Sequence, residues 1–250
     1  MKRSTMWEQK NLVYFLSLVM ISILLLTPIT AAFAANESPV LTPAAAAVEE
    51  MNAADEIMSQ IKTIIGDAIV VNAKGIEIKN KNNIIKKLKF VDLDALEKHA
   101  ASQGIVFEGG LTEEKVLNAF TQGIDSLNRS IANGELKVLA KGTIVKADDD
   151  GFYLQGGSTY DAGYWWGIKR YKSTTAAKQW VFELNSAGNV GTGAALIYAV
   201  FGYAPGAIIT GLTALWCYQL ANSVTYRNGL NDRGIVASIT WLLVYTVNNQ

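Results

Sequence analysis

One histidine, one cysteine and a run of three aspartates are the residues most able to do chemistry in this chain, and none sits in a pattern that does it. His99 falls on an amphipathic stretch with no cysteine or second histidine nearby, so no zinc spacing exists. Cys217 stands between Trp216 and Tyr218 in apolar surroundings, which raise a thiol pKa and leave the sulfur inert. Asp148-Asp149-Asp150-Gly151 has oxygens for calcium but lacks the alternate ligands and distant glutamate of an EF-type loop. Asp150-Gly151 also fits a two-residue hairpin turn. No G-x-S-x-G, phosphate-binding loop or H-E-x-x-H occurs. Gly188, Gly191 and Gly193 lack a preceding parallel strand; small residues packing helix on helix explain them better. The expectation is a protein that is not an enzyme and uses no cofactor or metal.

The segment from Tyr160 to Lys172 carries more information. Tyr160, Tyr164, Trp165, Trp166 and Tyr171 stand among Lys169, Arg170 and Lys172. Trp and Tyr favour the membrane–water interface, where one end of the ring is apolar and the other wet. Lys and Arg pair there with anionic head groups. Tyr164, Trp165, Trp166, Lys169, Arg170 and Lys172 are therefore candidate membrane-surface contacts. The same side chains could stack on a sugar or seal the edge of a core.

From Leu184 to Tyr226 there are 43 residues without Asp, Glu, Lys, Arg or His. The stretch breaks once, at Tyr203-Ala204-Pro205-Gly206, and reads as an apolar helical hairpin over 188–226. Its first arm, Gly188 to Tyr203, is Gly/Ala-rich. The second, Gly206 to Tyr226, approaches the ~20 residues that cross a bilayer core. Small residues let helices approach closely in lipid. Ile208, Ile209, Leu212, Leu215 and Trp216 are the candidate inserting residues. A hairpin buried by surrounding helices is the competing reading, since all-round apolar helices also occur in the cores of large soluble domains.

The elements that must position these residues follow from periodicity and punctuation. Lys2, Arg3 and Lys10, the apolar run from Leu12 to Ile29 and the Ala32-Phe33-Ala34 box read as a signal peptide over 1–34. Residues 35–47 are Pro/Ala-rich and read as a flexible linker. Val48 to Ala73 has an apolar helical stripe through Met51, Met58, Ile61 and Ile65, with Gly75 as its stop. Ile76 to Phe90 is basic and reads as a strand, a turn and a piece of helix. Asp92 caps a helix to Ser102, and Thr112 caps another that ends at Asn133-Gly134. Strands are expected over 136–140, 143–145 and 152–154, closing the 48–150 region with a β-hairpin. Residues 151–250 form an aromatic, glycine-rich module. In it Ser173 or Thr174 caps a helix bearing Trp180 and Leu184, and Ile235 to Val247 forms a C-terminal strand. The expected fold is mainly α with a small β element, an α+β protein of amphipathic helices around the apolar hairpin.

Residues 35–250 hold 19 Lys+Arg and 21 Asp+Glu, a net charge of −2 that speaks against a nucleic-acid partner. One cysteine allows no internal disulfide. The leader, the segment Tyr164-Trp165-Trp166-Gly167-Ile168-Lys169-Arg170-Tyr171-Lys172-Ser173 and the run Tyr226-Arg227-Asn228-Gly229-Leu230-Asn231-Asp232-Arg233-Gly234-Ile235 together resemble a large secreted heat-labile bacteriocin of the geobacillin type from Bacillus-like bacteria. The resemblance covers about the last hundred residues and brings no site residue with it. It implies an extracellular protein that permeabilises the membrane of related bacteria, with an unidentified receptor or immunity protein as a further partner. The chain lacks the Y-G-N-G-V signature and paired cysteines of pediocin-like bacteriocins. A non-enzymatic cell-wall or cell-surface binding protein is the alternative.

Overall fold

The computed structural model describes residues 43–140, 142–148, 157–190, 193–201 and 212–250. The leader, the Phe152–Leu154 strand expectation and the candidate inserting residues Ile208 and Ile209 lie outside these residues.

Helix α1, Pro43–Gly66, starts on a proline at its first position, where the missing N–H is no loss. Residues 43–47, expected in the linker, are thus its first turns. The 48–73 stripe ends early. Its inward face is Ile57, Met58, Ile61 and Ile65, and the helix stops at Gly66. The β-branched run Ile69-Val70-Val71 then forms β1, Ile69–Asn72, which turns back on β2, Gly75–Ile78. Asn128 holds this hairpin, with Ile76 N–H donating to its Oδ1 and its Nδ2 donating to Ile76 O, both at 2.8 Å. The short basic helix α2, Lys81–Leu88, follows, with Ile84 and Leu88 inward.

Helices α3, Leu93–Ser102, and α4, Glu113–Ala132, have the expected caps. Asp92 Oδ1 accepts from Ala95 N–H at 3.0 Å, and Thr112 Oγ1 from Lys115 N–H at 3.3 Å. Val116, Leu117, Phe120, Ile124 and Leu127 line the buried face of α4.

The β element is larger than expected. Six antiparallel strands pair in chain order: β3 Leu136–Val138, β4 Ile144–Lys146, β5 Tyr160–Tyr164, β6 Gly167–Lys172, β7 Ile235–Thr240 and β8 Tyr245–Asn249. The expected C-terminal strand is therefore two strands. Their turn, Trp241-Leu242-Leu243-Val244, is wholly apolar and buried, with Leu243 at φ 64°. It has no Gly, Pro or Asn to announce it, and burial against the helices holds it.

Between β6 and β7 the chain inserts α5 Thr174–Val190, α6 Gly193–Phe201 and α7 Ala214–Asn228. The hairpin expected over 188–226 does not form among the described residues. Gly188 belongs to α5. Helix α7 begins only at Ala214, where Thr213 Oγ1 accepts from Trp216 N–H at 3.1 Å. At 1.5 Å per residue α7 reaches about 22 Å, short of a ~30 Å bilayer core. No described helix is long and apolar enough to cross a membrane. The physical reason is that uncharged is not apolar. Gln219, Asn222, Ser223 and Thr225 break the apolar surface of α7, while Trp216, Cys217, Leu220, Ala221 and Val224 bury one face in protein. Helices α5 and α7 run antiparallel, tied by Asn228 Nδ2 donating to Thr174 O at one end and Tyr218 Oη to Asn189 Oδ1 at the other.

The described residues thus form an α+β fold in which helices bury one face of an antiparallel sheet. Opposed residues share a face, so the register gives its composition. The inner face carries Gly163, Ile168, Ile239 and Tyr245 in one row and Asp161, Arg170, Ala237 and Val247 in the next. The aromatics Trp180, Phe201 and Trp216 from the three inserted helices are buried with it.

Candidate functional site

The β5–β6 hairpin divides the aromatic and basic segment between two environments, because strand side chains alternate. Arg170 and Lys172 point inward and are only 6% and 8% exposed. Arg170 Nε and Nη2 donate to the two carboxylate oxygens of Asp161 at 3.0 and 3.1 Å. Its Nη1 donates to the carbonyls of Ala199 and Val200, and its guanidinium lies 4.8 Å from the Trp180 ring centre. Lys172 Nζ donates to Asp161 Oδ1 at 3.0 Å. Burial and the Arg170 charge pull the Lys172 ammonium below its ordinary pKa, against the pull of Asp161. Trp165 also turns inward, its ring 5.9 Å from Phe120 and its carbonyl accepting from Trp241 Nε1. These three candidates are structural in this state.

The outer face gathers the others. One row reads Tyr160, Tyr171, Val236, Asn248; the next Ala162, Lys169, Ser238, Thr246; the third Tyr164, Gly167, Thr240. Tyr160 and Tyr171 stack at 4.2 Å, and Tyr164 stacks on Trp166 at 5.2 Å. Lys169 Nζ lies 5.8 Å from the Tyr164 ring centre. Lys62 of α1 reaches over Trp166, its Nζ 4.4 Å from the ring centre. The four rings and Lys62 and Lys169 are all half-buried. Burial lowers the Lys62 pKa, and the neighbouring Lys169 charge lowers it further, against Asp55. Burial raises the Tyr160 and Tyr164 hydroxyls, with Tyr171 adding to both. Lys62 and Lys169 thus lie over neighbouring aromatic faces, near enough for their charges to oppose each other.

The chain matches no protein-family model, no curated protein and no solved structure. Its site therefore rests on its own geometry.

Of the six candidate contacts, the fold brings Tyr164, Trp166 and Lys169 together on one face and withdraws Trp165, Arg170 and Lys172. It adds Tyr160 and Tyr171. Even spacing within each strand, on either side of the Trp165-Trp166 turn, carries that division in the sequence. Lys62 had no signal, because it arrives from a helix a hundred positions away. Of the candidate inserting residues, Leu212 is half-buried ahead of the α7 cap and Leu215 is exposed. Trp216 is in the core, with Nε1 donating to Leu243 O at 2.9 Å.

No group of His, Cys, Asp and Glu able to hold a metal occurs among the described residues. The cavity of about 620 Å³ between α4 and the Trp241 turn has largely apolar walls that include Phe107, Ala119, Trp241 and Leu242. Lys115 at that cavity is tied to the carbonyls of Glu108 and Gly110. Burial pushes the Cys217 thiol up to about 12. A thiol reagent at pH 8 should leave the native protein unlabelled and modify one thiol after denaturation. Fast native labelling, followed by mass spectrometry, would show that α7 opens.

Proposed function

We propose that this is an exported antibacterial protein that acts at the membrane of related bacteria, docking through the outer face of its sheet. The observation that carries this reading is the meeting of Tyr164, Trp166 and Lys169 with Tyr160, Tyr171 and Lys62 on one half-exposed face. Interfacial aromatics and cations are what an anionic lipid surface selects. Export rests on the N-terminal leader pattern, and membrane damage on the resemblance of the C-terminal module.

The test is binding of the mature chain to phosphatidylglycerol-containing vesicles, followed by dye release and killing of related bacteria. A lysine at an anionic surface contributes about 1 kcal/mol. Lys169→Gln should therefore weaken vesicle binding about fivefold, and Trp166→Ala should weaken it as well. Lys172→Gln, altering a buried group, should leave it unchanged. Equal effects of the two lysine substitutions would count against this face, and no binding to any vesicle would end the membrane reading.

One observation favours a second reading, a cell-wall binding protein. Ser238, Thr246 and Asn248 place hydroxyl and amide groups beside Lys169 and Tyr171 in the same rows. Aromatic rings flanked by such groups suit a glycan. Retention on isolated peptidoglycan without vesicle binding would select it.

A further inference from the structure

Residues 74–90 hold six lysines and one glutamate in a chain with no net charge. The fold concentrates them. Ile84 and Leu88 point into the core from α2, which leaves Lys81, Lys86, Lys87 and Lys89 exposed on the helix and its C-terminal cap. Among the described residues, carboxylates meet two of the six lysines. Lys87 lies 3.4 Å from Asp67 and Lys79 lies 3.9 Å from Glu77, both in solvent-exposed pairs that hold weakly.

Phe90 closes this segment and is 90% exposed. A single exposed apolar residue is ordinary on a protein surface. This one is set differently. The helical path continues through Lys89, which is αR, and Phe90 N–H donates to Lys87 O at 3.2 Å. Phe90 therefore follows Lys86 by four positions and Lys87 by three, on neighbouring ground. Asp92 and Asp94 follow at the exposed start of α3, where Asp92 accepts from Ala95 N–H as the cap and the helix dipole favours both carboxylates. The apolar face of α2 is taken up by the core, so what the segment offers outward is a row of ammonium groups with one bulky ring at its end, and both are side chains that an anionic lipid surface accepts.

We infer that α2 and Phe90 form a second lipid-contacting element. Lys81, Lys86 and Lys89 meet anionic head groups, and the Phe90 ring enters the boundary with the acyl chains. Charge complementarity selects this occupant. The patch is strongly positive, and the one large apolar side chain beside it is too small to anchor a folded protein partner but suits a fluid interface. The inference rests on the membrane reading above and adds to it a contact that the sheet face does not contain.

Its test uses the mature chain and sedimentation with two vesicle types, phosphatidylcholine alone and phosphatidylcholine with phosphatidylglycerol, at low and high salt. A lysine near such a surface is worth about fivefold in affinity. The variant Lys81→Gln, Lys86→Gln, Lys89→Gln should bind anionic vesicles about a hundredfold more weakly than the unaltered chain and lose most of the salt dependence. Phe90→Ser should weaken binding at both salt concentrations. Every position changed is exposed, so thermal melting should not move, and the melt identifies any misfolded variant. If the unaltered chain binds anionic vesicles and the triple variant binds as well, this inference falls while the membrane reading stands. If the unaltered chain binds neither vesicle, the membrane reading falls and takes this with it. Lysine-dependent retention on a heparin column without vesicle binding would point to a polyanion partner and overturn the lipid assignment.

Discussion

Replacing Arg170 with alanine is expected to destabilise the fold by about 3–5 kcal/mol, the range for breaking a buried ion pair from one side. The guanidinium joins three things. It forks onto both oxygens of Asp161, it donates to the carbonyls of Ala199 and Val200, and it covers Trp180. Those carbonyls belong to the last turn of α6, where a helix has no internal donors left and its dipole favours a cation. Trp180 Nε1 donates to the same Ala199 carbonyl at 2.7 Å. Arg170→Lys should recover little, because an ammonium cannot fork. The measurement is the urea midpoint of each variant, and a loss below about 1 kcal/mol, the level of an exposed pair, would show that the cluster holds nothing.

The same cluster gives a pH signature. Burial alone would raise the Asp161 carboxyl, but the Arg170 and Lys172 charges outweigh it and hold the group below the usual carboxylate range. Its folded pKa is below its unfolded one. The stability it contributes is thus present above pH ~4 and lost as pH falls through the folded value. The stability gap between the unaltered chain and Asp161→Asn should close on acidification. Lys172 behaves differently. Its ammonium is also depressed, so its charge opposes folding at neutral pH, and that opposition ends only as pH rises above ~10. Lys172→Met should accordingly be close to neutral, in contrast to Arg170.

Gly167→Ala is the second large effect, expected at about 3 kcal/mol or more. Gly167 sits at φ 150° where β6 meets β7. An added Cβ would lie 2.1 Å from the Ile239 carbonyl oxygen and 2.8 Å from Thr240 Cα. Both are backbone atoms of the paired strand, so no rotamer change relieves the contact. Gly134 is the control. Its φ is +74°, but nothing lies within 4 Å of the added carbon, so alanine there should lose only the about 1 kcal/mol of a left-handed backbone. Comparable melting temperatures for the two variants would contradict this account.

Much of the helical half was readable from side-chain chemistry close in sequence. Asp92 and Thr112 are caps because a short oxygen next to an apolar stripe satisfies a free N–H within three residues, and Ser173 does the same for α5, accepting from Ala176 N–H at 3.3 Å. The apolar stripe of residues 48–73 outruns the helix, which ends at Gly66, because one apolar face runs on through Ile69 and periodicity does not register that Ile69-Val70-Val71 has a strand partner after a two-residue turn. The Trp241–Val244 turn carries no sequence signal for a related reason: apolar residues mark a turn only when something buries them.

The candidate site was half legible. The sequence placed the rings and cations in one segment but not on two faces, and it could not bring Lys62 to them. By itself it determined the caps, the amphipathic stripes and the uncharged character of residues 184–226. The tertiary structure alone decided which polar groups that stretch turns toward protein, that Arg170 pins α6 instead of meeting solvent, and which face of the sheet stays open. Local signals act over a few residues through backbone hydrogen bonds, whereas burial depends on which distant surfaces come together.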